Sequence, residues 1–308
     1  MLPSQRFVLT IVAFAVAGGP ALGIELGDPA PALAVAEWLK GDPVVLEQGK
    51  GKSIYVIHFW HTEAAVCRVA IPHLSDLQYK YRDKGVIIIA VGAEKADKVK
   101  AFVKLMGPKM AYRVALDREQ TTYKQYMTAF QVNTVPHAFL IDKAGNIVWH
   151  GHWLRKLDEN IQAVLDGTYD IEEARRAEQA RLLVPQYLQM VKSVSRASKA
   201  TPVGEQIITY GQKDAMVMND FAWRIVDTPG LIVRDLKLAM RAAEAAYAAC
   251  EGKDAAVVDT YARVLFESGR KKEAIEHQKE AVKLAGSKEL REELQQTLER
   301  YEKAVAGD

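Results

Sequence analysis

Between Ile24 and Gly167, short apolar runs alternate with stretches of helical spacing. Ser53 to Trp60 is apolar and partly β-branched, as a strand buried on both faces should be. Val66 to Asp83 puts Ile71, Leu74, Leu77 and Tyr81 on one helical face, and Gly85 closes it. Val86 to Val91 reads as a second buried strand, Ala96 to Met106 as a second helix, and Tyr123 to Phe130 as a shorter one. Ala138 to Ile141 and Asn146 to Trp149 flank the turn sequence Asp142-Lys143-Ala144-Gly145, which predicts a hairpin. A last helix is expected from Asp158, an N-cap residue type, to Asp166, with Gly167 as its stop. The order is β-α-β-α-β-β-α.

Past Tyr169 the strand pattern gives way to helical spacing throughout. Ile171 to Ser195 is helical in pattern, with Pro185 expected to kink or split it. Lys199-Ala200-Thr201-Pro202 reads as a connector. A weak repeat follows: Ala239 and Ala246 recur as Ala274 and Ala281, a shift of 35 positions. The first copy starts near Phe221-Ala222-Trp223, with a longer loop holding Pro229-Gly230, and Ser287 to Val305 forms a capping helix. Ala262, Gly269, Ala274 and Ala281 resemble the small-residue positions of a tetratricopeptide repeat, where paired helices pack closely. That resemblance implies a surface for a protein or peptide partner.

Composition narrows the picture. The 308 residues are 49% hydrophobic and 26% charged with net charge +2, so nothing favours nucleic acid as a partner. Arg6, the apolar run Phe7 to Ala17 and the small residues Ala21-Leu22-Gly23 have the form of a secretory signal peptide. The expectation is a leader at 1–23, a mature chain exported to a bacterial periplasm, and no membrane partner after cleavage. Only Cys67 and Cys250 are present, in what read as different domains (24–168 and 169–308), so no disulfide is expected.

Five local sequences carry a family resemblance covering slightly under half the chain. They are Gly27-Asp28-Pro29-Ala30-Pro31, Phe59-Trp60, Cys67-Arg68 with Ile71-Pro72-His73-Leu74, Asn133-Thr134-Val135-Pro136, and Asp142-Lys143-Ala144-Gly145-Asn146. Together they resemble the TlpA-like redoxins of the AhpC/TSA type. The resemblance implies a thioredoxin-like α/β fold, a central sheet with flanking helices, ahead of the all-α repeat region. It also implies thiol-disulfide oxidoreductase chemistry and a peptide groove formed by Trp60, Val135 and Pro136, the last after a cis bond.

The positions that carry that chemistry depart from the pattern. Where the family has Cys-x-x-Cys, this chain has Ala64-Ala65-Val66-Cys67, so the attacking cysteine is replaced by Ala64. A lone second cysteine cannot run dithiol exchange within one site. The family's tryptophan before the first cysteine is Glu63, its buried acid is His58, and the residue after the proline is His137. Around Cys67 the helix N-terminus and His58, as proton acceptor, favour thiolate, while burial and Glu63 oppose it. Three readings stay open. One is an inert thiol in a protein-binding scaffold, which can hold an extended peptide by strand addition. The second is a single-cysteine redox enzyme, either a thiol oxidoreductase or a peroxidase. The peroxidase would need a threonine hydroxyl, and Thr62 is two residues from the family position. The third is a Cu or Zn module using His58, His61, Cys67 and His137. No cofactor is otherwise expected, and whether the chain is an enzyme stays open. The later pair His150 and His152 is expected to be exposed at a strand end.

Overall fold

The computed structural model describes residues 23–152 and 156–306; the predicted leader lies outside the described residues, apart from Gly23. Contacts divide the chain into two compact units meeting between Thr168 and Tyr169.

The first unit is built on a mixed sheet of six strands: β1 (Val35–Lys40), β2 (Ile54–Trp60), β3 (Val86–Gly92), β4 (Arg113–Asp117), β5 (His137–Ile141) and β6 (Ile147–Gly151). Their spatial order is β1-β4-β3-β2-β5-β6. β2 lies parallel to β3 and antiparallel to β5, and every residue of it is buried. That explains its unbroken apolar character. Helices α1 (Ala65–Tyr81), α2 (Ala96–Met106), a short α3 (Thr121–Tyr123) that widens into a π-helical turn over Lys124–Thr128, and α4 (Leu157–Asp166) flank the sheet. This is the thioredoxin-like arrangement.

Two strands were not legible in the pattern. β1 is an edge strand with only half-buried and exposed positions, so it shows no clean alternation. β4 is five residues long, with charged groups at both ends and three buried positions between. Asp158 is not the cap of α4; it sits in the first turn and reaches back to α1. Its carboxylate accepts from Lys80 Nζ at 2.7 and 2.8 Å and from the Tyr81 hydroxyl at 2.5 Å. α1 runs through Pro72 without ending.

The second unit contains only helices among its described residues: α5 (Ile171–Val191), α6 (Val194–Ala197), α7 (Thr201–Gly211), α8 (Ala215–Asp227), α9 (Leu236–Ala249), α10 (Ala255–Glu267), α11 (Lys271–Leu284) and α12 (Lys288–Ala306). Asp170, Asp214, Asp235 and Asp254 cap α5, α8, α9 and α10, each carboxylate accepting backbone N–H groups of the first turn. α5 continues through Pro185 instead of splitting there. Its buried face, Ala177, Ala180, Val184, Tyr187, Leu188 and Val191, extends on both sides of the proline, and tertiary packing overrides the local break. The expected connector at 199–202 is instead the entry to α7, with Pro202 in its first turn, where a missing N–H costs nothing.

α8 with α9, and α10 with α11, form two successive helix pairs, and α12 packs on α11. The repeating alanines Ala239, Ala246, Ala274 and Ala281 are all buried, as are Ala222 and Ala262 on the first helix of each pair. Helices approach closely at Gly204 too, where an added Cβ would lie 2.4 Å from Leu238 Cδ2.

Candidate functional site

The redoxin active-site turn falls between β2 and α1. Ala64 is the N-cap of α1 and offers no side-chain cap. Cys67 lies in the first turn, turned inward and 1% exposed. Burial pushes its thiol pKa up; a hydrogen bond from the His61 backbone works the other way, and the Glu94 charge raises it further. Cys67 and Cys250 are both free thiols. Cys250 ends α9, half-buried, with Sγ 3.5 Å from the Tyr247 carbonyl oxygen.

The acid acting on Cys67 is therefore Glu94, not Glu63. Glu94 stands two residues past the end of β3, with its side chain 8% exposed. Its carboxylate accepts from the Thr62 backbone N–H at 2.6 Å and from the Thr62 hydroxyl at 2.7 Å, and meets Lys98 Nζ at 3.0 Å. Burial opposes its ionisation most strongly, but these contacts together hold its pKa below the usual range. Glu63 points into solvent and pairs with Lys98 at 2.7 Å, which lowers its own pKa. His61 Nδ1 accepts from the Glu63 N–H at 3.2 Å, so in the neutral ring Nε2 carries the proton, facing Glu94 Oε1 at 3.4 Å. The turn that would present a nucleophile is thus pinned by a carboxylate from the neighbouring strand end.

His58 is not the proton acceptor for Cys67. The two side chains share no hydrogen bond, and His58 is 2% exposed with Nδ1 lacking any partner. Register sets it between Ala90 on β3 and Ala138 on β5. Burial, helped by nearby His152, drives its pKa down to about 3, so it is a neutral ring and a very weak base.

The four proposed metal ligands do not form a set. His137 pairs in register with Phe59, while His58 pairs with Ala138, so the two histidines lie on opposite faces of the sheet. His137 Nε2 is 2.9 Å from His150 Nδ1, and both rings pack on Phe139. Both nitrogens of His61 are engaged as described. Among the described residues no group of three or more His, Cys, Asp or Glu side chains is arranged to hold a metal ion. Thr62 gives its hydroxyl to Glu94, so it does not replace the threonine a peroxidatic cysteine needs. His150, expected at the surface, is buried against Phe130 and Phe139.

Just before β5, the Val135-Pro136 bond is cis, Pro136 is buried and Val135 is half-buried. Trp60 is buried, its ring 5.5 Å from Phe102, with Nε1 unpartnered.

Residues 26–150 match the model of the AhpC/TSA family. The thiol-disulfide oxidoreductases ResA of Bacillus thuringiensis (strain Al Hakam) and Bacillus anthracis are each 36% identical over 126 residues, 41% of this chain and 68% of theirs. The chain belongs to the AhpC/TSA family. Protein FixW of Rhizobium leguminosarum is 29% identical over 158 residues, 48% of this chain and 70% of its own. A solved structure from Chlorobium tepidum, assigned as the thiol:disulfide interchange protein DsbE, is 28% identical and covers 46% of this chain and 99% of its own, with a TM-score of 0.41.

Within this AhpC/TSA domain the sequence reading missed Glu94 and the His137–His150 pair. Glu94 carried one usable signal: a carboxylate just past the carboxyl end of a buried strand, where loops converge on the site of an open α/β sheet. Nothing local announced His150, because its partners come from β5 and from Phe130 after the π turn.

Proposed function

We propose that the first unit is a thiol-disulfide-oxidoreductase scaffold that has lost dithiol exchange and holds partner proteins instead. The observation that carries this reading is Ala64 at the nucleophile position with Cys67 buried and its thiol held protonated. The Glu94–Thr62 clamp supports it, since a turn braced in this way serves as a fixed platform. The groove beside Trp60, Val135 and Pro136 takes an extended segment of the partner. The paired helices of the second unit are tetratricopeptide-like and supply another contact surface. The leader pattern at 1–23 makes this an exported, periplasmic scaffold.

Insulin reduction with dithiothreitol tests the reading. The native chain should give no turnover above the reagent alone, and Ala64→Cys should gain measurable reductase activity, because it restores a Cys-x-x-Cys pair with Cys67 at the start of α1. Turnover by the native chain that disappears in Cys67→Ser would overturn it in favour of a single-cysteine enzyme.

A further inference from the structure

We propose that the second unit carries a peripheral docking surface for an anionic lipid bilayer, formed by the end of α5, α6 and the α8–α9 loop. Two segments about forty residues apart in sequence meet there. The backbone N–H groups of Ile232 and Val233 donate to the Val191 carbonyl at 3.1 and 3.4 Å, which seats the loop against the end of α5. The meeting leaves three β-branched apolar side chains in water: Val194 at 77% exposed, Ile232 at 55% and Val233 at 43%. Single exposed apolar residues are ordinary, but three on adjoining segments are a patch.

The loop is braced, so the exposure is not slack chain. Pro229-Gly230, with Gly230 at φ +73°, makes the turn. Arg234 then donates to the Ile225 and Thr228 carbonyl oxygens, both at 2.6 Å, closing the end of α8. These bonds hold Ile232 and Val233 outward and keep them from folding back onto the unit.

Charge identifies the occupant. The stretch 192–200 holds Lys192, Arg196 and Lys199, all exposed, and no acid. None of the three is in an ion pair among the described residues. The acids flanking the loop are Asp227 and Asp235, and the Asp235 carboxylate is committed to the Leu238 N–H at 2.9 Å. Exposed apolar side chains beside a stretch that carries three exposed cations match the interface of a bilayer with anionic headgroups, into which the apolar tips insert while the cations stay at the phosphates. The sequence expectation of no membrane partner after leader cleavage rests on the lack of any later segment apolar enough to cross a bilayer. Peripheral contact needs no span, and no described helix is long and apolar enough to provide one.

The test is flotation of the full chain with phosphatidylcholine vesicles and with vesicles containing about one-third phosphatidylglycerol. Binding through residues 1–23, to which Arg6 adds its own anionic preference, is common to all variants, so the change in the anionic-to-neutral ratio between variants is the readout. At about fivefold per cation, the native ratio should reach on the order of a hundredfold at low salt and shrink as salt rises. Lys192→Gln with Arg196→Gln and Lys199→Gln should lower the ratio by on the order of a hundredfold. Val194→Ser with Ile232→Ser should weaken anionic binding while its salt dependence remains. All five positions are exposed, and an unchanged circular dichroism melt confirms the fold. A native ratio near one, or a ratio untouched by the charge variant, overturns the proposal. Capture of a soluble polyglutamate peptide without any vesicle preference overturns it too, and makes the occupant an acidic protein segment.

Discussion

Lowering the pH from 7 to 5 is expected to cost this protein about 2 kcal/mol of stability through His58 alone, and about 3 kcal/mol by pH 4. The folded-state pKa of His58 is about 3, against 6.5 for a free histidine. Between those values the unfolded chain binds a proton that the native site refuses, so stability falls as pH falls across this window. At neutral pH the unfolded chain is also mostly unprotonated there, and the penalty vanishes. His58→Leu removes the titrating group and the orphaned Nδ1 while keeping a similar volume between Ala90 and Ala138. It should be more stable than the native protein at pH 7 by about 1–2 kcal/mol, and its acid limb should be flatter by the amounts above. Urea unfolding at pH 7, 5 and 4 checks both. Parallel acid limbs for the two proteins would show that His58 is not held neutral.

Replacing Glu94 with alanine is expected to cost about 2–4 kcal/mol at pH 7, because the buried Thr62 loses the acceptor for its N–H and its hydroxyl together. The Lys98 contact is exposed and adds little to that figure. Glu94→Gln retains the acceptor oxygen and should cost less than Glu94→Ala. Glu94 has a depressed folded-state pKa, so its contribution is complete above its unfolded value and is lost as pH falls through the folded one. That window lies below the upper part of the His58 window, so the two effects separate between pH 6.5 and 4.5. A second readout is specific to the site: loss of the Glu94 charge should lower the Cys67 pKa and speed its alkylation in a Cys250→Ser background. Unchanged stability in Glu94→Ala would mean that the turn is not pinned by this carboxylate.

That position 64 is alanine, with Cys67 three residues on, is written in the sequence and needs no structure. What Cys67 became is different. The sequence placed a helix dipole, a histidine and an acid around it, with opposing effects on its proton. The structure gives the direction by withdrawing two of the named partners. His58 shares no hydrogen bond with the thiol, and Glu63 turns to solvent and Lys98. It adds one unnamed partner, Glu94, which is 27 positions away in sequence. Local pattern cannot report which groups converge from the ends of neighbouring strands.

By itself the sequence determined the central strands β2 and β3, the β5–β6 hairpin, the amphipathic helices and the alanine repeat. Each is encoded in local periodicity and turn chemistry, because hydrophobic spacing must match the backbone period to bury a face. Only the tertiary structure decided the edge strand β1, the short β4 and the continuation of α5 through Pro185, since pairing and packing outweigh weak local preference there. It also decided that His58 and His137 lie on opposite faces, which dissolves the metal set. One residue of register separates the two faces of a sheet, and a list of ligand-type residues carries no register.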